Sequence, residues 1–286
     1  MIRPQDQFIQ VQGFKVRYWT MGTAGSVVVL IHGISCSVAE WAHNIEALSR
    51  EHTVYALDLL GHGLSDKPID WAYSGEASAQ FVLDFMSALG TGQAHLVGNS
   101  MGGLVALEAA ALAPQRVLSL TLAAPAGLGK KTLFNFRLAS LPVIGEWLTR
   151  PNPASMTLVW RMAFVDKSHV TPAIIADKVA LAKLPGATAV FLKILRTGIS
   201  FKGFLPGPMA VLHDKVRQIK TPAFAIWGKQ DVFLPVEQLG VLSSLMPQTE
   251  TWVIDSCGHV PMIEHASAFN QRVVAFIHAT EKRASI

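Results

Sequence analysis

The chain has 286 residues, half of them hydrophobic and 15% charged, with a formal net charge of +4 and a mean hydropathy of +0.34. That apolar content supports a substantial core and excludes a disordered chain, while no uninterrupted apolar run reaches the length of a membrane span. Lys and Arg are dispersed along the sequence rather than gathered into a block, so neither nucleic acid nor stable membrane insertion is expected of it.

The opening MIRPQDQF has no apolar stretch behind a basic one, so no secretory signal is read and a cytoplasmic location is expected. In that reducing setting Cys36 and Cys257 are expected as free thiols. Residues 8–11 and 15–19 flank Gly13 and predict a hairpin on an antiparallel edge. Residues 27–31 (VVVLI) form a β-branched run ending at His32-Gly33, which reads as a buried strand entering a sharp turn. Residues 38–50 then show helical spacing through Trp41, Ile45 and Leu48. The order repeats: strands at 53–57, 94–97 and 117–123 alternate with helices at 76–89 and 101–113. Such alternation predicts an α/β fold, a mostly parallel sheet with helices on both faces.

After Pro125 the strand signal is lost for about ninety residues. The segment 129–214 reads as helices punctuated by prolines, with Thr171-Pro172 as an N-cap and first helical residue. Strands resume at 222–227 and 251–254, with helices at 236–245 and 266–279. The expected organisation is a core of residues 1–128 and 215–286 interrupted by a helical cap at 129–214. Its many aromatic residues, among them Phe136, Trp147, Trp160 and Phe191, suit a lid over an apolar pocket, although most of them are expected simply to pack the cap onto the sheet.

The chemistry centres on Gly98-Asn99-Ser100-Met101-Gly102, placed between an apolar strand and the strong helix MGGLVALEAAALA. A hydroxyl lifted on so tight a turn needs glycines on both sides. The helix that follows directs its positive end and the Met101 N–H toward a developing oxyanion, and the Ile34 N–H after the 27–31 strand supplies a second donor. A serine hydroxyl also needs a base, and the base needs a carboxylate to fix its tautomer. Asp231 and His259 each follow a strand, in the order nucleophile, acid, base, and complete the predicted triad. Asp255 is the alternative acid, read instead as shaping the turn. Ser35, Trp160 and Val260 are the predicted substrate contacts, with Cys36 near Ser35. Asp58, His62, Ser65 and Asp66 are given no chemistry, and Glu264 is read as capping the last helix. No metal-ligand spacing, phosphate loop or dinucleotide fingerprint is present in the sequence, so no cofactor and no metal are expected.

From residue 26 onward the chain resembles the α/β-hydrolase superfamily through LIHGI, DLLGHGLSDKP, GNSMGG, WGKQD and CGHVPMIEH. The resemblance implies a sheet of about eight strands, a helical cap inserted after the sixth, and acyl-enzyme chemistry at Ser100, with His259 as acid and base and Asp231 orienting it. Serine at position 100 disfavours the relatives that use an aspartate nucleophile. GNSMGG, AFVDKSHVT and the tail from CGHVP are similar to the meta-cleavage-product hydrolases, which cut carbon–carbon bonds. Their substrate-carboxylate arginine falls at Lys178, with Arg161 and Arg196 as substitutes. His32-Gly33-Ile34-Ser35 departs from their glycine-rich oxyanion loop, and Val260 stands where they carry Trp. These departures favour carboxylic esters with apolar acyl or aryl groups as the small-molecule substrate. Carbon–carbon bond hydrolysis is the runner-up, and a ligand receptor with residual turnover the third reading. Homo-oligomerisation is left open.

Overall fold

The computed structural model describes residues 3–284. Strands β1 (Gln7–Val11), β2 (Phe14–Met21), β3 (Val27–Ile31), β4 (Thr53–Leu57), β5 (Ala94–Asn99) and β6 (Val117–Ala123) precede an insertion. Two short strands, β7 (Ile199–Ser200) and β8 (Gly203–Phe204), lie inside it, and β9 (Ala223–Gly228) and β10 (Glu250–Ile254) follow. One eight-stranded sheet runs in the order β1-β2-β4-β3-β5-β6-β9-β10. β2 pairs antiparallel with β1 and β4, and the remaining pairs are parallel. β5 and β9 are buried at every residue, as strands covered by helices on both faces must be.

The helices are α1 (Ile45–Leu48), α2 (Gly75–Ala88), α3 (Met101–Leu112), α4 (Phe134–Ala139), α5 (Ile144–Leu148), α6 (Pro153–Met162), α7 (Pro172–Ala182), α8 (Ala187–Gly198), α9 (Pro206–Gln218), α10 (Gln238–Leu245), α11 (Pro261–Glu264) and α12 (Ala266–Ala284). Trp41, Trp227, Phe81, Phe85 and Phe269 are among the fully buried side chains of the main core. Burying each such side chain is worth roughly 1.5–3 kcal/mol. The Thr171 hydroxyl accepts from the Ile174 N–H and caps α7 as predicted, with Pro172 in its first turn.

Three expectations are revised. Residues 38–50 are not one helix: a short 3-10 turn (Val38–Trp41) is separated from α1 near Asn44. The Asn44 amide is drawn into tertiary bonds, donating to Met262 O at 2.9 Å and Asn270 Oδ1 at 2.7 Å. The inserted segment is not wholly helical, because β7 and β8 pair as a small antiparallel ribbon. The predicted boundary at residue 214 falls inside α9, and α9 packs as a unit on α3 of the core. We therefore take 129–205 as the cap.

Candidate active site

β5 ends at Asn99 and α3 begins at Met101, leaving Ser100 at φ 55° and ψ −116°. That left-handed geometry costs a non-glycine residue about 1–3 kcal/mol and persists only when neighbours enforce it. Here they do: the Ser100 N–H donates to Ala123 O at 2.9 Å, and its carbonyl accepts from Gly103, Leu104 and Ala126. A Cβ at position 98 would lie 2.3 Å from Gly102 O, and one at 102 would lie 2.1 Å from Ile31 O, so both glycines are sterically required. The Met101 and Ile34 N–H groups donate to no acceptor among the described residues, and both flank Ser100 in a shared cavity.

Asp231 and His259 come from loops after β9 and β10. The imidazole Nδ1 is 2.7 Å from Asp231 Oδ2, and Asp231 Oδ1 accepts the Phe233 and Leu234 N–H groups at 2.8 and 3.0 Å. The carboxylate is fully enclosed, so it holds the proton on Nδ1 and leaves Nε2 as the basic nitrogen. Phe233 stacks on the ring at 4.8 Å and 7°. Ser100 and His259 line one cavity, although no hydrogen bond joins the Ser100 hydroxyl to the ring among the described residues. Asp255, the alternative acid, is exposed and pairs with Lys229, while Asp231 is the carboxylate hydrogen-bonded to His259.

Two cavities meet at Ser100. The larger, about 430 Å³, lies under the cap and is lined by His259, Ser35, Trp160 and Val260, the three predicted substrate contacts included. The smaller, about 230 Å³, reaches toward α9 past Met101, Leu104 and Met209. Ile34, His62, Phe136 and Phe233 border both.

Sequence reasoning missed three features. Asn99 donates from Nδ2 to the His259 carbonyl and to Ala123 O, both at 3.1 Å. A polar residue in an otherwise wholly buried strand was the available signal, since such a group requires partners. Glu264 does not cap α12. It accepts from Gly258 N at 2.7 Å and from Val165 and Asp166 N at 2.7 and 2.6 Å, clamping the histidine loop to the cap. His62 lies on the cavity wall, donating from Nδ1 to Leu60 O, with burial pushing its pKa down to about 3. Asp58 and Ser65 form a loop scaffold: the Asp58 carboxylate receives Arg17 Nε, Val38 N and Leu64 N, and its carbonyl receives the Ser65 hydroxyl.

Of the three candidate cations, only Lys178 reaches a cavity, and its Nζ is paired with the buried Glu40 carboxylate and lies 3.7 Å from the Trp160 ring centroid. Arg196 is held by both oxygens of Glu146, and Arg161 is exposed and lines neither cavity. Cys36 and Cys257 are free, and burial pushes both thiol pKa values up. Among the described residues no cluster of three or more His, Cys, Asp or Glu could hold a metal ion, and no helix is long and apolar enough to cross a membrane.

Residues 26–184 match the family described as alpha/beta hydrolase fold. The chain belongs to this family. It is 32% identical over 277 residues to the dihydrolipoyllysine-residue acetyltransferase component of the acetoin cleaving system of Pseudomonas putida, covering 96% of this chain and 70% of that protein. A 2-hydroxy-6-oxononadienedioate/2-hydroxy-6-oxononatrienedioate hydrolase of Burkholderia vietnamiensis is 27% identical, with 92% and 91% covered. Among solved structures, a meta-cleavage product hydrolase from Pseudomonas fluorescens superposes with a TM-score of 0.82 at 26% identity, covering 96% of this chain and 97% of that one. An α/β-hydrolase scaffold of this kind places its reactive loops at one end of the sheet, where Ser100, Asp231 and His259 lie.

Proposed function

We propose that the chain is a serine hydrolase of neutral carboxylic esters with apolar acyl or aryl groups. The reading rests on the enforced left-handed Ser100, facing the same cavity as an imidazole held by a fully enclosed aspartate. In this scheme the Ser100 hydroxyl attacks the ester carbonyl while His259 Nε2 takes its proton. The Ile34 and Met101 N–H groups hold the oxyanion. Collapse of the adduct breaks the carbon–oxygen bond, and His259 returns the proton to the departing alcohol. Water, deprotonated by the same nitrogen, then releases the acid and restores Ser100.

The pairing of Lys178 supports a neutral substrate. Lys178, the one of the three candidate cations in a cavity, is already neutralised by Glu40, so a substrate carboxylate gains no free positive charge from it; Lys67 and Arg150 also line this cavity, without a carboxylate partner among the described residues. Wild-type protein should hydrolyse p-nitrophenyl esters and label with a fluorophosphonate. Ser100→Ala should lose labelling and at least about three decades of kcat, and turnover unchanged in that variant would overturn the reading.

Carbon–carbon bond hydrolysis is the second reading, favoured by the names of the Burkholderia and Pseudomonas fluorescens proteins and by Lys178 in the cavity wall. Bleaching of a yellow ring-fission dienoate faster than ester turnover would favour it. Absence of bleaching removes it.

A further inference from the structure

The cap carries its own charge and an uncovered apolar face. Residues 129–205 contain eleven Lys and Arg against three Asp and Glu, a net +8, which leaves −4 for the rest of the chain. The excess of basic over acidic residues is therefore carried by this one contiguous segment. Of the eleven, only Lys178 and Arg196 pair with a carboxylate among the described residues.

On the same cap, α5 presents large apolar side chains to solvent. Val143 is 80% exposed and Trp147 66%, and Ile144 and Leu148 are exposed beside them. α5 is pressed onto α4 through Gly145, where a Cβ would lie 2.2 Å from Ala139 O, and it also contacts α8, while Val143 and Trp147 remain uncovered among the described residues. Val143 itself sits at φ 68°, an unfavourable conformation for a β-branched residue. Leu158, 61% exposed, and Leu148 both line the larger cavity, so the apolar face continues into its rim. Phe134 and Phe201 are exposed on neighbouring elements, with the Arg137 guanidinium 5.5 Å from each ring centroid.

We infer that this face of the cap docks onto an anionic lipid surface, setting the rim of the larger cavity against the lipid. Exposed aromatic and aliphatic side chains on a cap whose cations mostly have no carboxylate partner among the described residues match the boundary between acyl chains and anionic headgroups. A second copy of the chain fits poorly, because two faces of this charge would repel. With no spanning helix among the described residues, the contact is interfacial. An apolar ester could then enter the cavity from the lipid without crossing water.

Flotation of the full chain with phosphatidylcholine vesicles, with and without phosphatidylglycerol, tests this. Wild type should float with the anionic vesicles, and the bound fraction should fall roughly tenfold on pure phosphatidylcholine or at high salt. Val143→Ser with Trp147→Ser, and separately Lys131→Glu with Lys202→Glu, should lower flotation by a similar factor. These four residues line neither cavity, so turnover of a soluble short-chain ester should stay at the wild-type level and report an intact fold. Wild type remaining with the soluble fraction would overturn the inference, as would undiminished flotation of both double variants. A salt-resistant dimer broken by Val143→Ser/Trp147→Ser would assign the face to a second copy instead. None of these outcomes depends on Ser100 being the nucleophile, which the Ser100→Ala assay decides separately.

Discussion

Asn99 ties the His259 backbone to the turn that carries Ser100: its Nδ2 donates to the His259 carbonyl at 3.1 Å, and the same nitrogen bonds Ala123 O on β6. The proposed nucleophile and the proposed base are thereby held by one tether. Asn99→Asp keeps the shape but points a carboxylate at two carbonyls. It should lower kcat by at least about tenfold, because a small displacement of a catalytic group is expensive, with little change in KM. Asn99→Ala should fall between it and wild type. Equal kcat in all three proteins would show that the tether does not position the base.

Asp231 is predicted to act through the tautomer of His259. In Asp231→Asn the amide can still accept from Phe233 and Leu234 through its oxygen, but it presents N–H groups to Nδ1 and favours the wrong tautomer. We expect the melting temperature to change by only a few degrees and kcat to drop by about three to four decades. Thermal melts and ester kinetics on the same preparation check both halves. A variant retaining more than about a tenth of wild-type kcat would argue against this role.

The parts legible in the sequence were those set by local pattern. VVVLI marked β3, and the glycines around Ser100 marked a turn that the packing of Ile31 and Gly102 indeed demands. Contacts between distant segments left little trace. Lys178 and Glu40 are 138 residues apart, and nothing in either neighbourhood announces the other. Glu264 reads locally as a helix-end acid, yet it receives three amide donors from two loops that meet only in the folded chain. The break in residues 38–50 has the same origin, since Asn44 is claimed by α11 and α12 rather than by its own helix. The two-residue strands β7 and β8 are too short to carry a periodic pattern.

Glu40 should control whether the larger cavity accepts anionic substrates. Its carboxylate neutralises Lys178 and also receives the Ser37 N–H at 2.5 Å in a capping box, a bond that glutamine can retain. Glu40→Gln therefore frees the Lys178 charge. The ratio of kcat/KM for a carboxylate-bearing aryl ester to that for its neutral analogue should rise by about tenfold, in keeping with a charge-assisted bond. Each single change, Glu40→Gln or Lys178→Met, strands a buried charge and should destabilise the protein by about 3–5 kcal/mol, most of which Glu40→Gln/Lys178→Met should restore. An unchanged substrate ratio in Glu40→Gln would mean that this pair does not set selectivity.

Stability should fall as the solution is acidified from pH 6.5 toward 4. His32 is fully enclosed, donating from Nδ1 to Gly33 O and accepting the Leu59 N–H at Nε2, and burial lowers its pKa to about 4. His62, 5.1 Å from it between ring centroids, is lowered to about 3 by burial and by the neighbouring ring. His95, bonded to Ser119, is lowered to about 4, again chiefly by burial. In the unfolded chain all three bind protons near 6.5, so below that pH the unfolded state holds more protons than the folded one. Each excess proton removes roughly 1.4 kcal/mol of stability per pH unit, and the loss continues until the folded-state pKa values are reached. Arg17, Lys67 and Lys178 reinforce the penalty on a charged His32 or His62, whereas Glu40 and Asp58 oppose it. Burial raises the Asp58 pKa, which favours the folded state in acid and moderates the fall at the lowest pH. Urea midpoints measured from pH 7.5 to 5 should therefore be nearly level at the alkaline end and drop once the pH passes about 6.5, and His62→Asn should make the drop shallower. A midpoint constant across that range would contradict three neutral buried histidines.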